Sequence, residues 1–243
     1  MKILKDRSNY LENKIDSGNN KSSILTILLI LGCAGVFSGV IINNILLIIL
    51  SIVLMQIGWV IYKQSCKDVN ACRKGIIGEQ TVIDALKNLD DKFYLINDIT
   101  LQQPYGNIDH ILLGPNGIFV IETKNYKGNI ECHGDDWHRY YENRGGNRDY
   151  SIASPSKQVK RNAVGLKNFL NKNADILKNK PNLFINSIIV FTDPNINLNL
   201  ENPTVPIKRP EELYNYIKSF KSNILFTKDD LDSIAKVIID ASR

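Results

Sequence analysis

Two acidic residues and a lysine carry the sharpest chemical signal in this chain. Asp109 is followed thirteen positions later by Glu122, and Lys124 stands two residues beyond. Two apolar runs, 108–113 and 118–123, flank Gly114-Pro115-Asn116-Gly117, a turn signal between strands. With a two-residue loop, Asp109 lies directly opposite Glu122, and opposed side chains sit roughly 4.5 to 5.5 Å apart at Cβ. Carboxylates that close repel unless a cation or a shared proton lies between them. Mg²⁺ is usually held by one or two carboxylates and several waters, so one such pair suffices. Lys124 shares the face of Glu122, which puts an ammonium group beside a metal clamp. Pro-Asn-Gly also fits a bulged turn, and a slip of one residue sends Asp109 to the other face. An ordinary solvent-facing pair, with Lys124 as its salt-bridge partner, is the plain alternative.

Asp109 followed by Glu122-Thr123-Lys124 resembles the PD-(D/E)xK nuclease motif. A longer set of pieces is similar to one branch of it, the nuclease-related domain called NERD. These are Gly75-Ile76-Ile77-Gly78-Glu79, Gly106-Asn107-Ile108-Asp109-His110, the run from Gly117 through Glu122-Thr123-Lys124 to Gly128, Trp137, and Pro155-Ser156-Lys157-Gln158. They lie in order over residues 75 to 158, and Ile108 stands where the nuclease motif has proline. The resemblance implies an α/β fold: a restriction-endonuclease-like mixed sheet flanked by helices. It implies that Asp109 and Glu122 bind Mg²⁺ or Mn²⁺ with the backbone carbonyl of Thr123. Lys124 would orient the attacking water or stabilise charge on phosphate. Glu79 would add a carboxylate to the metal site or hold its water, and Gln158 would close the site from a later helix. The implied chemistry is metal-assisted hydrolysis of phosphodiesters in DNA or RNA. A motif is not an activity, so a module that binds nucleic acid or a protein partner without cutting is the competing reading.

Other reactive side chains carry less. Lys157, Lys160, Arg161 and Lys167 make a basic helix patch, either a solvated face or a phosphate contact. His110, His133 and His138, with Cys132, match no zinc spacing. Trp137, Tyr140 and Tyr141 could stack on bases, though such residues more often pack.

The elements that must position these residues follow from periodicity. Residues 78–89 are predicted helical, with Val82, Ile83, Leu86 and Leu89 at helical spacing. Strands are predicted within 92–101 and at 108–113, 118–123, 129–133 and 185–192. The polar, aromatic stretch 135–150 reads as loop. Residues 155–170 read as a helix with Ser154 as N-cap and Pro155 at its first position. Two helices close the chain, at 210–220 and 228–239, with Thr227 and Asp230 resembling a capping box.

Composition adds a second part. The 243 residues are 44% hydrophobic and 23% charged, with a net charge of +5, which excludes a disordered or fibrous chain. Six Lys+Arg and three Asp+Glu fall in residues 1–63, so the totals of 30 and 25 leave 24 and 22 for residues 64–243. That balance is too mild to predict nucleic-acid binding from bulk charge. Residues 23–62, by contrast, carry no charged side chain. A spanning helix needs about 20 apolar residues, so we read two transmembrane spans, 24–42 and 45–62, turning at Asn43-Asn44. Lys2, Lys5, Arg7, Lys14 and Lys21 precede them, and Lys63, Lys67, Arg73 and Lys74 follow. The positive-inside rule then predicts a cell-membrane protein whose termini and soluble domain are cytoplasmic, with the lipid bilayer around 23–62. There Cys66 and Cys72 would stay reduced. The expected organisation is an N-terminal segment 1–22, a hairpin 23–62, a linker 63–74 and a nuclease-like domain 75–243.

Overall fold

A computed structural model describes residues 1–100, 106–143, 146–173 and 183–241. They fall into two units, Asn9–Ile76 and a second made of Met1–Ser8 together with Ile77–Arg243.

The first unit is a helical hairpin. Helix α1 (Tyr10–Ile41) and helix α2 (Ile45–Leu86) are both long and apolar enough to cross a membrane. The turn falls at the polar pair: Asn43 takes a left-handed φ of 52°, which asparagine tolerates, and Asn44 Oδ1 accepts the Leu47 N–H at 3.1 Å to cap α2. Gly32, Gly35 and Gly39 face Met55, Ser51 and Ile48, so this row of small residues is used within the chain to bring the two helices together. The pairing continues past the apolar stretch, where Gly18 meets Val69 and the Ser65 hydroxyl donates to Gly18 O at 3.0 Å. Residues 63–74, expected as a linker, are part of α2, which runs unbroken for 42 residues, or about 63 Å.

The second unit is built on a mixed six-stranded sheet in the order β1-β2-β3-β4-β8-β10. Its strands are β1 (Lys2–Lys5), β2 (Tyr94–Thr100), β3 (Asn107–Gly114), β4 (Gly117–Lys124), β8 (Ile185–Phe191) and β10 (Ile207–Lys208). Side chains alternate across it. Ile111, Leu113, Ile118 and Val120 join a core with helix α3 (Pro155–Asn173) and helix α5 (Lys228–Asp240). Leu112, Phe119 and Ile121 face a core with the end of α2, through Val82, Ile83 and Leu86, and with helix α4 (Pro210–Ser219). Both predicted caps form. The Lys157 N–H donates to Ser154 Oγ at 3.2 Å, and Thr227 and Asp230 make a reciprocal capping box.

The stretch 135–150, read from sequence as loop, is mostly strand. It supplies β6 (Asp136–Asn143) and β7 (Gly146–Ile152) to a second sheet, ordered β7-β6-β5-β9 with β5 (Gly128–His133) and β9 (Ile196–Glu201). An antiparallel hairpin with one solvated face needs few apolar residues. Here Ile130, Cys132, Trp137 and Ile196 suffice on the inner side. The outer side is a polar ladder, with Asn199 donating to Glu131 at 2.8 Å and His138 bonded to Asp149 at 3.0 Å.

Candidate active site

The β3–β4 hairpin has the two-residue register. His110 pairs with Ile121, and the pairing continues to Gly114 opposite Gly117. Asn116 anchors the turn by donating to Ile217 O at 2.7 Å. In that register Asp109 comes level with Glu122. Alternation places Asp109, Glu122 and Lys124 on the face covered by α3, and His110 and Thr123 on the face covered by α2.

On the first face the contacts are close. The Thr123 backbone N–H donates to Asp109 Oδ2 at 2.8 Å. Lys124 Nζ donates to Glu122 Oε1 at 2.6 Å and to Gln158 Oε1, from α3, at 3.1 Å. The Glu122 side chain is only 2% exposed. Burial raises the Asp109 carboxyl above its usual range, although the Thr123 N–H and Lys124 oppose it. Burial, and then the charge of Asp109, push Glu122 up to about 8. Burial pulls on Lys124 in the opposite sense, but Glu122, Tyr126 and Asp109 outweigh it, so its ammonium is held above the ordinary lysine range. Two buried carboxylates that destabilise each other's charged forms are relieved by a cation between them. The donors on offer are carboxylate and backbone oxygens, which suit Mg²⁺ or Mn²⁺.

The other predicted residues are placed as follows. Glu79 stands on α2, against the opposite face, and its Oε2 lies 3.9 Å from Arg7 Nε. Among the described residues no three His, Cys, Asp or Glu side chains converge into a metal-holding group. Of the basic patch, Lys157 pairs with Asp136 at 3.3 Å and Lys160 with Asp135 at 2.6 Å. Arg161 acts on Glu122, favouring its charged form. Trp137 is core: it is buried and its Nε1–H donates to Ser156 Oγ at 3.0 Å, tying the second sheet to α3.

Three contributions escaped the sequence reading. His110 is buried with both ring nitrogens engaged, Nδ1 with Asn97 Oδ1 at 2.8 Å and Nε2 with Thr123 Oγ1 at 3.1 Å. Burial, with Arg7 nearby, holds its pKa down to about 3. The ring is therefore neutral, Nδ1–H donates to Asn97, and Nε2 accepts the Thr123 hydroxyl. Its signal was position: following Asp109 directly, it must point to the other face, towards Thr123. Asp98 stands across from Asp109 on β2, between the pairs Asn97–His110 and Ile99–Ile108. The residues from Lys5 to Ser8 reach this same end of the sheet.

The sequence model of the nuclease-related domain family, NERD, matches residues 74–192. The chain is also similar to an uncharacterized protein of Bacillus anthracis, 44% identical over 59 residues, which is 23% of this chain and 28% of that protein. The chain thus covers little more than a quarter of that relative's length. No solved structure matches. Mixed sheets flanked by helices, the ordered motif pieces and the family match agree, and residues 74–192 of this chain are a NERD nuclease-related domain.

Proposed function

We propose that this domain hydrolyses phosphodiester bonds in DNA or RNA with a divalent cation, Mg²⁺ or Mn²⁺, while the α1–α2 hairpin anchors it to the cytoplasmic face of a cell membrane. The observation that carries the reading is the buried Asp109–Glu122 pair with Lys124 set against it. Asp109, Glu122 and the Thr123 carbonyl would hold the ion. When bound, such an ion lowers the pKa of water and neutralises charge developing on phosphate oxygens.

The remaining work falls to side chains already in place. The Thr123 N–H aligns Asp109. Glu122 and Gln158 fix the Lys124 ammonium, whose charge is secure at neutral pH. Arg161 adds positive charge from α3. Support for the anchor comes from the two apolar helices and from the Lys and Arg residues on both flanks. In addition β1, before the hairpin, and β2, after it, belong to one sheet, so the hairpin begins and ends at the same domain.

The test is a cleavage assay on the full chain in detergent, with single- and double-stranded DNA and with RNA, in Mg²⁺, Mn²⁺ or EDTA. Cleavage is expected only with metal, and Asp109→Asn, Glu122→Gln and Lys124→Ala should each abolish it without unfolding the protein. Cleavage that persists in EDTA, or in all three variants, refutes the reading. One observation favours a module that binds without cutting: Lys124 is already paired with Glu122, and no third acidic side chain joins the site among the described residues. That version predicts nucleic-acid binding that the three substitutions leave unchanged, with no cleavage in any metal.

A further inference from the structure

The residues ahead of the first apolar helix are built into the sheet domain. β1 runs parallel to β2, with Lys2 beside Tyr94, Ile3 beside Leu95 and Lys5 beside Ile96. The Lys2 N–H donates to Phe93 O at 2.9 Å. The chain then continues to the end of the sheet that carries Asp109. There Ser8 gives both its backbone N–H, at 3.2 Å, and its hydroxyl to the Asp98 carboxylate. The Lys5 ammonium donates to the Asp98 carbonyl. Arg7 lies against Glu79 at 3.9 Å, and each of these two side chains is 18% exposed.

Asp98 is the residue that makes this segment matter. It stands level with Asp109 on the neighbouring strand and takes a left-handed φ of 53°. A non-glycine residue keeps that conformation only when its surroundings hold it. Its surroundings are Ser8 and Lys5, which satisfy its carboxylate and its carbonyl. One residue before it, Asn97 accepts from His110, and His110 in turn accepts from Thr123, whose N–H holds Asp109. The backbone link from Asp98 to Asn97, followed by the hydrogen bonds Asn97–His110, His110–Thr123 and Thr123–Asp109, therefore connects the N-terminal segment to the candidate metal ligand. The family match begins at residue 74 and contains none of Lys5, Arg7 or Ser8.

We propose that Lys5, Arg7 and Ser8 are positioning residues of the candidate active site, and that the divalent-cation site at Asp109 and Glu122 is complete only when this N-terminal segment is docked. The inference rests on the reading of that pair as a cation site. Ser8 and Lys5 fix Asp98, whose charge acts on Asp109, and Arg7 fixes Glu79. The site is split across the hairpin, with its positioning residues before α1 and its ligands after α2. A hairpin that failed to return the chain to the same domain would leave the site unfinished.

The full chain in detergent provides the test, with Mn²⁺ affinity read from the electron paramagnetic resonance signal of free Mn²⁺. Loss of outer hydrogen-bond partners typically weakens metal binding 10- to 100-fold. The Arg7→Ala/Ser8→Ala double variant should therefore bind Mn²⁺ about 10-fold more weakly while it stays folded by circular dichroism at the assay temperature, and Arg7→Lys should keep most of the affinity. Unchanged or tighter Mn²⁺ binding in the double variant overturns the proposal. A wild-type chain that binds no Mn²⁺ refutes the cation-site reading instead. The positioning role is then decided by hydrogen exchange at the Thr123 amide, which should be faster in the double variant. Unchanged exchange there also overturns it.

Discussion

His110 makes a prediction about acid stability that can be worked to a magnitude. Its folded pKa is held down to about 3, first by burial and then by Arg7, against an ordinary value of 6.5. The sign follows from which state binds the proton. Between pH 6.5 and 3 the unfolded chain protonates this ring and the folded chain does not, so stability is fully present above 6.5 and falls with pH. The slope is about 1.4 kcal/mol per pH unit, so two units of acidification, to pH 4.5, cost about 2.7 kcal/mol. Glu122 works the other way: its raised pKa gives a contribution present at low pH and lost as pH rises through about 8. Wild type alone would show the two partly cancelling. The measurement is therefore a difference. Wild type and His110→Gln are unfolded by denaturant from pH 8 to 4.5, in EDTA, both in a Glu122→Gln background. Fluorescence of the buried Trp137 reports the sheet domain, with Trp59 replaced by Phe. The offset between the two proteins at pH 8 reflects lost packing and is not the signal. Their difference should shrink by about 2.7 kcal/mol between pH 8 and 4.5. A difference that stays constant over that window would mean His110 charges freely in the folded state, and the neutral ring bridging Asn97 and Thr123 would be wrong.

Further outcomes follow from other contacts. Without metal, the wild-type chain should lose stability between pH 6.5 and 8, where His110 no longer titrates, on the order of 1 kcal/mol per unit, while Glu122→Gln should not; Mg²⁺ should restore wild type at pH 8, and denaturant midpoints with and without Mg²⁺ check both. A Cβ built at Gly35 would lie 3.4 Å from Ser51 Cβ, close to the spacing of a disulfide. In a background with Cys33→Ala, Gly35→Cys/Ser51→Cys should therefore crosslink within one chain, and a crosslinked dimer on non-reducing gels would refute the intrachain use of the glycine row. Trp137→Phe removes the indole N–H bond to the buried Ser156 hydroxyl, which should cost about 1 kcal/mol in denaturant unfolding. A fragment starting at residue 64 lacks β1 and the Ser8–Asp98 contacts; it should melt several degrees below a chain in which residues 1–8 are joined by a flexible linker to residue 77.

What was legible in the sequence was local. Gly114-Pro115-Asn116-Gly117 set the hairpin register because a two-residue turn and two apolar runs leave little choice, and from that register the meeting of Asp109, Glu122 and Lys124 followed. The polar pair Asn43-Asn44 marked the hairpin turn, being the one adjacent polar pair in an apolar run. Ser154 and Thr227 announced their helices through capping chemistry. The misses were residues whose structure depends on distant partners. β1 is four residues, mostly exposed, with lysine at both ends, and only β2, some ninety residues later, makes it a strand. β6 and β7 hide for a related reason. Their outer face is stabilised by polar side chains bonded across strands, so the usual alternation is carried by Trp137 and a few neighbours.

The helix of Glu79 covers the face of the sheet opposite the one that carries Asp109 and Glu122, and a cation from before the hairpin meets Glu79 there. The same alternation that gathers Asp109, Glu122, Lys124 and Gln158 on one side sends His110 and Thr123 to the other, where the N-terminal segment arrives. The strand ends thus carry the paired carboxylates on one face and, on the other, the hydrogen bonds that link His110 to Asn97 and Thr123. Because the segment before α1 and the domain after α2 share one sheet, the two long helices between them must leave and return to the same domain. Any membrane they cross is therefore crossed an even number of times, a constraint independent of where Lys and Arg fall and one that agrees with the orientation those residues favour.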